Sequence, residues 1–524
     1  MKKNVQIRIE PKDSENLELI KKLACKKSKI NEKDLSDFVI LKKSIDARER
    51  PPIILITADL YTNGEKKEIQ KNIIDEYKKV DENKTVIIVG AGPAGYFSAL
   101  ELIENGIKPI IFERGKDVNA RRYDLRAIQQ EGIVNPDSNY CFGEGGAGTY
   151  SDGKLYTRAT KRGDIYKTLK LLVEHGAKEE ILTEAHPHIG SNKLPVIVKN
   201  IRETIIKFGG EVHFNSKVDD LIIENNKIIG VISNDKKFYA DSVILATGHS
   251  SRDIFYLLKD KNIKVEFKAF AMGVRIEHKQ KLIDSIQYGQ EERDLNLPAS
   301  NYSLVCQVEG RGVFSFCMCP GGFIVPSSTA PNELVLNGMS LSKRNSKFAN
   351  AGIVVSIEKE DLLDYEKYGE FAGLEFQKEI EKKVFLAGDQ KTQKAPAQKV
   401  VDFLNNKISE NLLDTSYIPG VFSAPLHNIL PKNISGRLKQ GLIEFGKKMK
   451  GFITEDAQII AIESRTSSPI RIPRDKDTLE HIEIENLYPC GEGAGFAGGI
   501  ISAAVDGQNC AKAIIKKYNN IVQS

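Results

Sequence analysis

No apolar run in this chain approaches the roughly 20 residues needed to cross a bilayer, so no membrane-spanning helix is expected. The N-terminus opens on Lys2 and Lys3 but has no continuous apolar stretch and no small-residue cleavage site, which argues against secretion. Cysteine is sparse. The seven are scattered, only Cys317 and Cys319 stand close together, and no C-x-x-C pair or Cys/His cluster has zinc spacing. That usage suits a reducing cytoplasm and gives no reason to expect a structural metal. A field of one sign is missing too: net charge is +5, and lysine is interleaved with Glu and Asp. Internal repeats and low-complexity tracts are also absent.

What is present is ordinary globular composition, 41% hydrophobic and 28% charged, in a chain of 524 residues. That length exceeds the roughly 250 to 300 at which a single core stops growing, so two or three domains are expected. Residues 1–80 read as a small α+β unit: a strand at Val5–Ile9, a helix over Asn16–Lys26, strands at Ser44–Arg50 and Ile53–Asp59 meeting at Pro51-Pro52, and a helix or linker over Ile69–Tyr77. Its basic loop (Lys26, Lys27, Lys29) lacks the aromatic interleaving of an RNA surface and reads as a solvated face. An RNA-directed role for this unit is the alternative that the basic loop leaves open.

The most informative stretch is TVIIVGAGPAGYFSALELIENGIKPIIFE, Thr85 to Glu113. Val86–Val89 reads as a buried strand, Gly90, Gly92 and Gly95 as a G-x-G-x-x-G turn, and Ala94–Asn105 as the following helix. In such a unit the first glycine allows the tight turn and the second lets backbone approach a pyrophosphate. The third lets helix and strand pack closely, and the helix N-terminus offers N–H groups. Pro109–Phe112 reads as the next strand. Glu113 at its tip is placed for ribose hydroxyls, an acid about 20 residues beyond the glycines. NAD and FAD both satisfy this segment.

Two further glycine-bearing segments narrow the choice. Val243–Ala246 reads as a buried strand running into Thr247-Gly248, where the missing side chain lets backbone pass a nucleotide. Near the C-terminus, Gly491-Glu-Gly-Ala-Gly495-Phe-Ala-Gly498-Gly499 precedes a helix whose N-terminus would face the edge of a flavin, with Glu492 beside the ribitol or pyrophosphate. FAD lies extended and needs contacts beyond the first cradle, so the three segments together point to FAD. Between them, helical spacing over Ile197–Phe208 leads into a strand at Glu211–Phe214 and a meander at Val218–Asn225, Lys227–Ser233 and Lys236–Ala240. Strands are then expected at Val265–Ile276, Ser303–Val308, Val313–Cys319, Leu334–Ser340 and Gly352–Ile357, without a second G-x-G-x-x-G.

The chain resembles the FAD-dependent oxidoreductases with a glutathione-reductase-type FAD domain. Within them it is similar to a bacterial family of FAD-dependent, or NAD-utilising, dehydrogenases. The carrying segments are VGAGPAGYFSALELIENGIKPIIFERG, FGEGGAGTYSDGKLYTR, FCMCPGGFIVPSS, ESRTSSPIRIPRD and LYPCGEGAGFAGGIISAAVDG. The resemblance implies an α/β, doubly wound, discontinuous FAD-binding domain over 84–160, 196–254 and 481–524. A segment at 161–195 connects its first two parts, an α+β substrate domain is inserted at 255–480, and the small α+β unit precedes them. It also implies FAD contacts at Gly90, Gly92, Pro93, Ala94, Gly95, Glu113 and Arg114, and at Gly145, Gly146, Gly148, Thr149, Ser151, Lys154 and Leu155. The remaining implied contacts are Val218, Thr247, Gly248, Gly491, Glu492, Gly498, Gly499 and Ile500. Phe496 departs from the tyrosine expected there.

The implied chemistry is hydride transfer to or from a small-molecule substrate through non-covalent FAD, with any NAD(P)H docking transiently because no second nucleotide fold is present. A non-catalytic FAD-binding scaffold is a further alternative. Lys154 and His249 are the candidate catalytic residues: the lysine to stabilise reduced flavin or an acidic substrate, the histidine to donate a proton. Asp152 reads as a turn cap. Cys317 and Cys319, alternating on a strand, should share one face as buried thiols. Arg465 and Arg471 are candidate carboxylate clamps or partners of Glu463 and Asp475.

Overall fold

The computed structural model describes residues 1–68, 71–157 and 163–523. Ile69 and Gln70, at the start of the expected helix or linker, and residues 158–162, which hold the end of the glycine-rich loop, lie outside the described residues.

A five-stranded parallel sheet carries the nucleotide motif. Asp81–Val89 is its central strand, with Ile107–Phe112 then Glu211–His213 on one side and Ser242–Leu245 then Leu487–Pro489 on the other. The uninterrupted apolar run of the central strand is needed because both faces are covered. Val86 and Ile88 enter one core with helices Pro93–Glu104, Leu194–Lys207 and Ile500–Gln523, while Ile87 and Val89 enter another with the antiparallel meander Val218–Glu224, Lys227–Ser233 and Lys236–Tyr239. Each fully buried aliphatic side chain contributes roughly 1.5–3 kcal/mol, so this strand anchors the sheet. The chain leaves the central strand toward Ile107–Phe112 and leaves its neighbour Ser242–Leu245 toward Leu487–Pro489 on the opposite side, which opens a crevice at their carboxyl ends. The C-terminal helix crosses Pro93–Glu104 at Gly507, where a Cβ would lie 2.1 Å from the Ala94 carbonyl oxygen.

A second, seven-stranded sheet is built around Phe270–Lys279, whose residues are buried up to His278. Its neighbours are Phe348–Ile357 and Gln458–Glu463, and Arg311–Cys319 pairs with the former. The strand expected over Val265–Ile276 divides, because Glu266–Phe267 pairs instead with Ile470–Arg471 outside the main sheet. At the N-terminus Ile53–Thr62 is the middle of three antiparallel strands, with Lys2–Ile9 and Leu35–Asp46 at its sides and helix Leu17–Ser28 packed on them. The strand expected at Ser44–Arg50 therefore starts nine residues earlier. Antiparallel pairing of Asp46 with Ile53 and of Leu35 with Thr62 recruits the whole preceding segment, and residues 47–52 become the hairpin loop. Among the described residues, no helix is long and apolar enough to cross a membrane.

Candidate active site

At the carboxyl end of the parallel sheet lies a cavity of about 480 Å³, within the range of ligand-binding clefts. The three glycine segments meet in its wall. Gly90, Gly92, Pro93, Ala94, Glu113 and Arg114 line it from the first; Thr247, Gly248 and His249 from the second; Gly491, Glu492, Gly498, Gly499 and Ile500 from the third. Gly146, Gly148, Ser151, Lys154 and Val218 complete the set expected at the cavity. Four expected residues stand behind the wall instead. Gly95 packs under the turn, where a Cβ would meet the Gly90 carbonyl oxygen at 2.0 Å, and Gly145 donates to the Ala91 carbonyl. The buried Thr149 hydroxyl is spent on the Glu144 carbonyl, and Leu155 belongs to the apolar core.

Glu113 is buried, and its carboxylate accepts the N–H groups of Ala91, Gly115 and Gly143, each at 2.9 Å. It thus ties the glycine turn to the 143–148 loop, with about one of its four lone-pair positions left for a ligand. Arg114 reaches Asp137 at 2.7 Å and Asp253 at 2.9 Å and lies over the Phe142 ring, so its guanidinium acts as a clip between loops. The glycine loop is held by a residue that local sequence reasoning missed. Arg121, with no exposed surface, donates to the carbonyls of Asn139, Gly143, Glu144 and Gly146. Glu144 beneath it is bound by the Tyr96 hydroxyl and the Val118 N–H.

Lys154 hydrogen-bonds the Met318 carbonyl and faces Asp152 at 3.7 Å. Burial, the largest influence, works against the ammonium, but Asp152 together with Cys317 and Cys319 outweighs it and raises the pKa above the usual lysine value. Asp152 is not a turn cap: it is buried and bound by Arg344 and Ser340, an ion pair assembled across about 190 residues of sequence. His249 hydrogen-bonds Ser250 at 2.7 Å. Burial and the nearby Arg465 hold its pKa down to about 4, which leaves a neutral imidazole at the cavity wall. Arg465 pairs with Glu381 and Glu333, which also hold Arg252, while Glu463 pairs with Arg275; Asp475 caps its own turn. The pairings expected for Arg465 and Arg471 are therefore replaced. Arg471 is exposed and lies toward the Phe496 ring. Phe496 stacks more closely under Arg474, at 3.9 Å. Cys490, Asp506 and Cys510 cluster within 4.8 Å, but the Arg474 guanidinium already occupies that space, donating to Asp506 and toward Cys510.

Glu492 is the most perturbed carboxyl at the wall. Burial raises its pKa from 4.5 to about 7, and the Lys268 ammonium offsets this only in part. The folded chain therefore holds a proton here that the unfolded chain releases, and stability contributed by the protonated form is lost as pH rises from about 4.5 to about 7. In chemical denaturation of the FAD-free protein, wild type should lose stability relative to Glu492→Gln between pH 5 and pH 8. Parallel behaviour of the two proteins across that range would rule the titration out.

Two family models cover this architecture: "Pyridine nucleotide-disulphide oxidoreductase" over residues 84–282 and "FAD-dependent protein, C-terminal domain-like" over 269–466. The chain belongs to the FAD-dependent oxidoreductases. A domain of unknown function matches residues 1–61. An uncharacterized protein of Clostridium beijerinckii is 41% identical over 523 residues, covering 96% of this chain and 97% of its own. A Hypoxylon pulicicidum FAD-dependent monooxygenase, nodY2, is 29% identical over 199 residues, 36% of this chain and 42% of that one. The L-aspartate oxidase of Pyrococcus abyssi is 28% identical over 177 residues, 31% of this chain and 36% of that one. The chain spans less than half the length of these last two.

The cavity of this oxidoreductase fits FAD on its own geometry. Gly90 (φ +107°) and Gly499 (φ +86°) keep backbone in the left-handed region, and nothing lies within 4 Å of where a Gly499 Cβ would point. Thr247 Oγ1 is buried at the wall without a partner. The helix Pro93–Glu104 starts at Gly92 with no side-chain cap, so its first N–H groups face the crevice.

Proposed function

We propose that this chain holds FAD non-covalently along the cavity and exchanges a hydride with a small-molecule substrate at the flavin. The observation that carries the reading is the convergence of three glycine segments, some 400 residues apart in sequence, on one cavity. In this arrangement the pyrophosphate lies at Gly90–Gly95 and the N-terminus of helix Pro93–Glu104, and the ribose lies by Glu113. The reactive ring lies toward Gly498–Ile500, Lys154 and His249. FAD supplies two-electron chemistry, and the residues around it bind, orient and exclude water. Lys154 places a half-buried positive charge where reduced flavin is anionic, and neutral His249 is the group able to accept or hold a proton. One βαβ cradle is seen among the described residues, so NAD(P)H, where it serves as donor, docks transiently over the flavin. Cysteine usage suits a cytoplasmic setting.

The visible spectrum of FAD-reconstituted protein, recorded anaerobically, tests this. Flavin bands that bleach with NADH or NADPH support the full reading. Bands that neither nucleotide bleaches but dithionite does retain the flavin and remove the nucleotide. No bands after reconstitution would overturn the cofactor site.

A further inference from the structure

The two neighbouring cysteines do not sit as strand alternation predicts. Arg311–Cys319 pairs with Phe348–Ile357 up to Phe316, then the register slips before Cys319 meets Asn350. Cys317 falls in that slip with φ +43°, a left-handed conformation uncommon for any residue but glycine. In a flat strand the two side chains would stand roughly 6–7 Å apart. The bulge turns the chain back instead, so that Cys319 Sγ lies 3.2 Å from the Cys317 carbonyl oxygen. Cys317 lines the FAD cavity, whereas Cys319 is fully buried behind it.

Two cations reach this turn, each also paired with a buried acid, Lys154 with Asp152 and Arg275 with Glu463. Lys154 binds the Met318 carbonyl between the two cysteines, and Arg275, fully buried, points Nη1 at the Cys317 carbonyl at 3.4 Å. Nη2 of Arg275 has no partner, and neither do the buried Asn350 Nδ2 and Tyr302 hydroxyl, which leaves donors unspent around the sulfurs. The adjacent Cys319 thiol, then the Lys154 and Arg275 charges, hold the Cys317 thiol well below the usual range against burial and Asp152, while Cys317 and burial raise Cys319. The pair therefore shares one proton, as a thiolate facing the cavity and a thiol behind it.

We propose that Cys317 and Cys319 form a dithiol–disulfide centre that exchanges two electrons with the flavin. The inference rests on FAD occupying the cavity. In the oxidising direction a bond forms between the two sulfurs and the Cys319 S–H bond breaks. Two electrons and that proton pass to oxidised flavin, leaving the reduced flavin anion; the reverse reaction restores thiolate and thiol. The protein then stores two electrons beyond those of FAD, as suits a partner that is itself a thiol or disulfide. The cysteines come from the second sheet, and Met318 between them gives the ring its small size.

Anaerobic reductive titration of the air-oxidised, FAD-loaded protein tests the centre. Wild type should take up about four electrons per flavin, and Cys317→Ser and Cys319→Ser about two. Peptide mapping of unreduced wild type should show the fragment holding both cysteines lighter by two hydrogens. Cys510→Ser reports on the other close thiol pair and should stay at about four. A flavin-loaded wild type that takes up about two electrons, with both thiols open to alkylation, overturns the dithiol and leaves the cofactor reading intact. A count that falls in Cys510→Ser instead moves the centre to Cys490 and Cys510. Absence of flavin bands is read before any titration and removes both readings.

Discussion

Gly90→Ala is expected to leave a protein that retains no flavin. The residue sits at φ +107°, and an added Cβ would lie 2.4 Å from the Ala246 carbonyl oxygen. That oxygen cannot retreat cheaply, because Ala246 is fixed by its N–H bond to the Val89 carbonyl and by the parallel pairing of Ser242–Leu245 with Val86–Val89. The left-handed backbone alone costs about 1–3 kcal/mol with a Cβ present. Relief of the clash must separate the two strands whose ends form the crevice, so we expect FAD affinity to fall at least about 100-fold, on the order of 2.7 kcal/mol. Gly106→Ala separates the two effects: its φ is +74° but nothing lies within 4 Å of the new Cβ. That variant should lose stability and keep its flavin. Equilibrium FAD titration and thermal unfolding of both variants check the comparison. Wild-type affinity in Gly90→Ala would remove the cradle from the site.

Arg121→Met should be the most damaging substitution of a single side chain. The guanidinium is fully buried, donates to four carbonyls of the 139–146 loop, and lies over the Tyr150 ring at 5.1 Å. Methionine fills much of the volume but donates nothing, leaving buried carbonyls unpaired at about 1–3 kcal/mol each. A net loss of about 3 kcal/mol is expected, since the loop relaxes toward water. Flavin affinity should fall as well, because Gly146 and Gly148 line the cavity. Arg121→Lys should recover only part of the loss, because one ammonium cannot span four acceptors as a planar fork does. Denaturant midpoints with and without FAD provide the measure. A methionine variant as stable as wild type would show that water replaces the guanidinium.

The cradle was legible because its constraints are local. Close approach of backbone to backbone admits only glycine, and a strand covered on both faces needs an unbroken apolar run, as at Val86–Val89. Glu113 was equally legible as an acid at a strand tip, although its three backbone partners were not. Arg121, Asp152 and Arg465 were read poorly or not at all. Arg121 spends its donors on backbone carbonyls that no side-chain pattern announces, and Asp152 with Arg344 and Arg465 with Glu381 and Glu333 pair across elements that no spacing rule links. Cys317 and Cys319 looked like strand thiols because alternation is the default, and the bulge that turns one back on the other comes from the register of Phe348–Ile357.

By itself, then, the sequence determined the parallel nucleotide fold, the three glycine segments and the kind of cofactor, because each rests on backbone sterics within a few residues. Only the tertiary structure decided which of those glycines face the cavity, which buried charges hold the loop and why two cysteines meet beneath it. Those outcomes depend on ion pairs, backbone acceptors, registers and burial contributed by segments outside the glycine motifs, from the neighbouring loop to the far end of the chain.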